Sequence, residues 1–394
     1  MKIPVSPDIA GLAPYVPGKP IAALARELGI RGAIKLASNE NPLGPSKAAV
    51  AAIRAGLRQI FRYPDGAGCD LVAALSDRWK VPAAQVMIGN GSNEIIELLV
   101  RTFMMPGDEA VMARPTFSLY RLVVTAGHGK PVEVPLTDGR HDLPGMLRAI
   151  GRKTRLIFIC NPNNPTGTIV HEAEVKRFLT RVPKQVLVIF DEAYAEYATA
   201  DDFPQSIVRV RAADNVIMLR TFSKLYGLAG LRIGYGIGPP EVIDLLSRVR
   251  QPFSTNIVAQ QAARAALSDD AHVARSLAVN RTGMAYLTRA FDEMEIDYLP
   301  SEANFICFRL DDPDPLATFV SPKDFFGRRV FEALLREGVI IRYLEGNVLR
   351  VTVGLPRENR RFIQALQTIL SKAEEAARPN RRRIAGGRTP GRSK

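Results

Sequence analysis

The chain has 394 residues, 46% of them hydrophobic, and a formal net charge of +13 at pH 7. That length and apolar content exceed what one compact core usually holds, so two domains are expected, and near-average glycine and proline exclude a collagen-like or low-complexity body. Seven of the thirteen excess positive charges fall in residues 378–394, R-P-N-R-R-R-I-A-G-G-R-T-P-G-R-S-K, which weakens the case for nucleic acid as a partner of the folded body.

Other compositional limits narrow the class. The N-terminus has no apolar signal core, and no run of about 18 apolar residues could span a membrane. The three cysteines, Cys69, Cys160 and Cys307, are scattered and odd in number. That fits a reducing, cytoplasmic setting rather than a disulfide framework. The histidines His128, His141, His171 and His272 form no ligand pair, so no metal site is expected.

In chain order, residues 1–35 read as an N-terminal arm, broken by prolines at 4, 7, 14, 17 and 20, with one short helix at 21–28. A helix is expected at 71–79 and a strand at 85–88. The turn G-N-G-S-N then opens an amphipathic helix at 94–104, and a strand follows at 109–112. Three continuous apolar runs follow, at 156–160, 186–190 and 216–219. Each ends in a polar motif, as buried parallel strands of an α/β sheet do, and such sheets bind ligands beyond the carboxyl ends of their strands. After about residue 265 the pattern changes to a long helix at 273–294, strands at 304–308, 339–341 and 349–353, and helices at 326–336 and 357–376. The reading is a large α/β domain at 36–265 with a mostly parallel sheet, a smaller α+β domain at 266–376, and a basic disordered tail at 377–394.

The most informative stretch is T-F-S-K-L-Y-G-L-A-G-L-R-I-G-Y-G at 221–236, which holds Lys224 and Arg232 and no acid. Its apolar flanks predict that it is mostly buried. A buried cation needs a partner, and a bound anion is the natural one where no local carboxylate exists. A desolvated lysine is also a nucleophile able to form a Schiff base. Lysine, serine and arginine together point to pyridoxal phosphate.

That cofactor makes further demands. Its phosphate needs donors, and Ser92 and Asn93 at a helix start, with Ser223 and Arg232 flanking the lysine, can supply them. Plain N-capping by Ser92 is the alternative. Its pyridine nitrogen needs an acid, and Asp191 ends a buried strand, where it either caps the next turn or faces a ligand. Asn164, in N-P-N-N-P-T-G at 161–167, and Tyr194 can donate to the phenolic oxygen. Phe117 either stacks on the ring or is a core aromatic.

Taken together, S-K with an arginine eight positions after the lysine, D-E-A-Y at 191–194 and N-P-T-G at 164–167 resemble the fold-type-I pyridoxal-phosphate aminotransferases. The segments P-Y-V-P-G-K-P at 14–20, A-S-N-E-N-P-L-G-P at 37–45, R-Y-P-D-G at 62–66, G-N-G-S-N-E at 89–94 and L-R-V-T-V-G at 349–354 resemble the histidinol-phosphate branch of that family. The resemblance implies that Lys224 binds the cofactor aldehyde as an imine and then moves a proton between Cα and C4′, with Asp191 and Tyr194 as its catalytic companions. It implies cofactor contacts from Ser92, Asn93, Phe117, Asn164, Ser223 and Arg232, and from Tyr63 of a second subunit in a homodimer. It implies that Arg350 binds the glutamate carboxylate or the substrate phosphate, helped by Tyr15 and Arg342. The expected substrates are histidinol phosphate and 2-oxoglutarate, with imidazole acetol phosphate and glutamate in the reverse direction. An aromatic amino-acid aminotransferase and a phosphothreonine-type decarboxylase are the alternatives.

Overall fold

The computed structural model describes residues 3–14, 18–314 and 324–386, with side chains up to residue 379. It divides into two compact units. The first takes residues 40–278 and 300–304 with the start of the chain, and the second takes 18–39, 279–299 and the described residues from 305 onward. The division falls at residue 278, inside helix Asp270–Glu293, rather than at 265. Segment 18–39, read from sequence as arm and entry to the large domain, belongs to the second unit. The reason is strand pairing: β1 (Ile34–Lys35) lies parallel to residues 339–340, and Thr352 donates its N–H to the Leu36 carbonyl at 2.8 Å.

The first unit is built on a seven-stranded sheet. Its strands are β2 (Val86–Gly89), β3 (Glu109–Arg114), β4 (Lys130–Pro135), β5 (Thr154–Cys160), β6 (Leu187–Asp191), β7 (Val216–Thr221) and β8 (Gly234–Ile237). The spatial order is β2-β8-β7-β6-β5-β3-β4. All neighbours from β7 to β4 are parallel, while β8 runs antiparallel to both β2 and β7. The mostly parallel α/β architecture expected from the apolar runs is therefore present. Strands β5, β6 and β7 are buried almost throughout because helices cover both faces, which is why they read as unbroken apolar runs rather than alternating ones. Helix Ser92–Phe103 packs Ile95, Ile96 and Leu99 into the main core with Leu156, Phe158, Ile189 and Leu219.

In the second unit a four-stranded antiparallel sheet has the order β12-β13-β10-β9, from β9 (Asp297–Tyr298), β10 (Phe305–Arg309), β12 (Arg342–Glu345) and β13 (Val348–Thr352). Strand β11 (Val339–Ile340) pairs with β1 instead. Helices Phe326–Arg336 and Pro356–Gly386 cover this sheet through Val330, Leu334, Phe362 and Leu366. The last helix corrects one expectation. It runs to Gly386, ten residues into the segment read as a disordered tail, and residues 387–394 lie outside the described residues. Residues 372–378, K-A-E-E-A-A-R, are good helix formers, and the helix continues past them with Pro379 inside it.

Candidate active site

The turn after β7 is held by its own backbone. Ser223 donates its N–H to Thr221 Oγ1 at 3.0 Å, Gly227 to the Lys224 carbonyl at 3.0 Å, and Leu228 to the Phe222 carbonyl at 3.0 Å. Phe222, Leu225, Tyr226 and Leu228 anchor it in the core. Lys224 is half-buried, with Nζ 5.5 Å from the centre of the Tyr194 ring. Residues 221–236 are mostly buried as expected, and Arg232 is an exposed exception. The backbone at Arg232 turns through a left-handed conformation (φ 56°), and its side chain folds back over Gly91 at the rim of the sheet rather than into the core.

That return builds an anion cradle. Arg232 Nη1 donates to Ser223 Oγ at 3.2 Å, and a Cβ on Gly91 would lie 2.4 Å from Arg232 Nη2. A Cβ on Gly234 would lie 2.4 Å from the Ser92 nitrogen, so β8 and the helix start approach as only glycine allows. Gly91, at φ 74° and ψ 165°, is the N-cap, and Ser92 is the first helical residue. No side chain caps this helix, which removes the plain capping reading of Ser92. Glu94 Oε2 accepts from the Asn90 N–H at 2.6 Å and from Ser254 Oγ at 3.0 Å, which fixes the loop. A helix N-terminus, a serine hydroxyl and a guanidinium thus converge, and all three favour a phosphate.

Asp191, at the end of β6, is 3% exposed. Its Oδ2 accepts from the Tyr120 hydroxyl at 2.7 Å, while Oδ1 is buried and meets no hydrogen-bond partner among the described residues. Burial pushes the carboxyl up from its ordinary value, and the Tyr120 hydrogen bond, the Ala193 N–H and the charge of Lys224 pull it back. The neighbouring acid has a separate duty. Glu192 is fully buried and pairs with Arg220 at 2.6 Å, and Arg220 reaches Glu196 at 3.2 Å and lies over the Trp79 ring. The two acids of D-E-A-Y are thus told apart only by their partners.

Two loops flank the acid. Asn164 is half-buried in the loop after β5. Its neighbour Asn163, fully buried, accepts from Thr116 Oγ1 at 2.8 Å and from His141 Nε2 at 3.2 Å. It also donates to the Pro115 carbonyl at 3.2 Å and to Thr166 Oγ1 at 2.9 Å. Asn163 thereby ties the Asn164 loop to the loop that carries Phe117. Phe117 is half-buried, with its ring edge-on to Tyr120 at 5.5 Å.

Sequence reasoning missed Tyr120, Asn163 and His141. Tyr120 follows Phe117 by three residues, and a tyrosine buried in a core needs a partner for its hydroxyl, a signal that was legible. Of the two adjacent asparagines in N-P-N-N, no local feature says which one is structural.

In the second unit Arg350 is 7% exposed, donates from Nη2 to the Ala37 carbonyl at 2.8 Å and sits over the Phe305 ring at 4.9 Å. It is directly opposite Arg342 in the β12–β13 register. Like charges at such a position are unfavourable unless an anion joins them. Tyr63 is 82% exposed and stacks on Phe253 at 4.7 Å. Tyr15 lies outside the described residues.

The donor set fits pyridoxal phosphate: a cradle for a phosphate, a buried carboxylate oxygen able to accept from a pyridinium N–H, and a lysine beside them in sequence and strand order. Fold and site together define the class, and the chain belongs to the aminotransferase class I and II family, whose family model matches residues 31–366. Within it, the chain is 49% identical over 368 residues to the histidinol-phosphate aminotransferase of Moorella thermoacetica, covering 92% of each. It is 46% identical to histidinol-phosphate aminotransferase 1 of Nitrosococcus oceani, covering 92% of this chain and 96% of the relative. Among solved structures it is similar to histidinol-phosphate aminotransferase from Sinorhizobium meliloti in complex with pyridoxal-5′-phosphate. The TM-score there is 0.82 at 27% identity, covering 93% of this chain and 98% of that one.

Proposed function

We propose that this protein is a pyridoxal-phosphate-dependent aminotransferase that interconverts imidazole acetol phosphate plus L-glutamate with L-histidinol phosphate plus 2-oxoglutarate, a step of histidine biosynthesis. The observation that carries the chemistry is Asp191: a buried carboxylate with one oxygen held and the other left as an acceptor. The similarity to relatives named for histidinol phosphate supports the substrate.

When bound, the cofactor supplies an aldehyde that exchanges for an amine and a pyridinium ring that withdraws electrons from the substrate's Cα. Ser92, Asn93, Ser223 and Arg232 hold its phosphate. Asp191 keeps a negative charge at the pyridine nitrogen, so that nitrogen remains protonated. Asn164 and Tyr194 donate to the phenolic oxygen, and Phe117 packs on the ring face. Lys224, as the unprotonated amine, would take the proton from Cα and return it at C4′, the carbon on the far side of the linking nitrogen. Arg350 and Arg342, with Tyr15, bind the substrate's anionic end, where a guanidinium fork accepts carboxylate or phosphate alike.

The protein acts as a homodimer in this reading, with Tyr63 reaching the cofactor phosphate of the partner. Leu57, Ile60, Phe61 and Tyr63 are 54%, 63%, 76% and 82% exposed within one short segment, a density of apolar surface that a second copy would cover. Three free cysteines support a cytoplasmic location.

The test is spectroscopic and kinetic. Purified protein is expected to be yellow, and Lys224→Ala to lose that visible band together with roughly 10³-fold or more of its activity. Histidinol phosphate is expected to be turned over in preference to phenylalanine and phosphothreonine. A colourless protein that takes up no pyridoxal phosphate defeats the cofactor assignment; a clear preference for phenylalanine defeats the substrate assignment.

A further inference from the structure

The hydrogen bond that holds Asp191 comes from a side chain outside the candidate cofactor contacts. Tyr120 is fully buried in helix Leu119–Ala126, and its ring stacks on Phe158 at 4.6 Å with only 7° between the planes. Its hydroxyl donates to Asp191 Oδ2 at 2.7 Å. We infer that Tyr120 is a positioning residue: it holds Asp191 by Oδ2, so that Oδ1 is the oxygen left for the pyridine nitrogen of the cofactor.

The direction of the bond is set by chemistry. Burial and the charge of Asp191 push the Tyr120 phenol well above its ordinary value, so the hydroxyl stays a donor throughout the working range. The other groups facing Asp191 do not replace it. Cys160, opposite it in the β5–β6 register, is likewise pushed up by burial and by Asp191, and its Sγ donates to the Pro162 carbonyl at 3.4 Å. Lys224 contributes charge, and the Ala193 N–H a backbone interaction. Tyr120 also lies between Phe158 beneath it and Phe117 edge-on at 5.5 Å, so the same ring fixes both the acid and the aromatic assigned to the cofactor face. A phenylalanine keeps that packing and removes only the donor. Asp191 would then hold its proton to higher pH, and a protonated carboxyl no longer stabilises a pyridinium.

This inference rests on the pyridoxal-phosphate reading, and the experiment separates the two. Wild type, Tyr120→Phe, Asp191→Asn and the double variant are loaded with pyridoxal phosphate. Cofactor retention is then followed from about pH 5 to 8, beside the thermal midpoint of each apoprotein. Tyr120→Phe is expected to fold with a somewhat lower apo midpoint, because buried Asp191 loses a partner, and its acid limb of retention to move up by about one pH unit, so that binding is about tenfold weaker at the acid end. In the Asp191→Asn background the same change is expected to have no further effect, because Tyr120 acts through the carboxylate. Tyr120→Phe curves that overlie wild type, or an equal loss in both backgrounds, would overturn the inference. Should Tyr120→Phe not fold, Phe158→Leu loosens the stacked ring and keeps the hydroxyl; it must raise the acid limb, and an unmoved limb overturns the inference too. A wild type that binds no pyridoxal phosphate at any pH sinks the cofactor reading instead.

Discussion

Gly91 shows how much of the site hangs on one missing atom. Its backbone occupies a region open essentially to glycine alone, and the space beside its Cα is filled by the Arg232 guanidinium. Gly91→Ala is expected to cost about 1–3 kcal/mol of backbone strain and to displace Arg232. A fluorescence titration should show pyridoxal phosphate binding weakened about tenfold or more, the equivalent of about 1.4 kcal/mol. His141 makes a different prediction. Burial lowers its pKa to about 4, with the Asn163 hydrogen bond opposing. An unfolded histidine binds its proton near pH 6.5, so between those two values the unfolded chain carries more protons, and stability falls as pH falls. The loss accumulates below about pH 6.5 and reaches roughly 3 kcal/mol near pH 4. Urea midpoints should track that fall in wild type and be flatter in His141→Gln.

At the scale of elements, the parallel strands β5, β6 and β7 each carry, at the carboxyl end, one residue proposed to meet the cofactor: Asn164 after β5, Asp191 on β6, Lys224 after β7. Adjacent parallel strands in register make their ends neighbours, with Cys160 opposite Asp191 and Asp191 opposite Leu219. The loops between them need a tie, and Asn163 supplies it with four hydrogen bonds in a fully buried position. Asn163→Ala would strand those partners, at about 2–4 kcal/mol, since buried groups left unpaired cost more than the bond itself contributes. The expected outcome is a lower urea midpoint with an unchanged slope, together with weaker cofactor retention as Asn164 loses its support. Element positions were largely legible in the sequence. Helices at 21–28 and 326–336 match to the residue, and the three apolar runs are strands. The end of the last helix was misread, because local charge density says nothing about how far a nucleated helix propagates.

For the whole molecule, the exposed apolar segment 57–63 is the feature a lone chain leaves unexplained. Sedimentation at micromolar concentration is expected to give a dimer of twice 43.2 kDa. Tyr63→Ala is expected to leave that mass unchanged and to weaken pyridoxal phosphate binding about tenfold, the effect of one lost hydrogen bond to a charged group. A monomeric wild type would remove the role assigned to Tyr63.

The division between sequence and tertiary structure follows from the range of each constraint. Local chemistry alone determined the strand and helix pattern, the motif order and the choice of Lys224, Asp191 and Asn164 as candidates, because a buried parallel strand must be apolar and must end where a polar group appears. Pairing across the chain decided the rest. Residues 34–39 joined the second unit because their backbone found strand partners some 300 residues later. Tyr120 reached Asp191, 71 positions away, and Arg232 was carried out of the core to Gly91. No local pattern encodes which distant donor satisfies a buried carboxylate; burial only requires that one must.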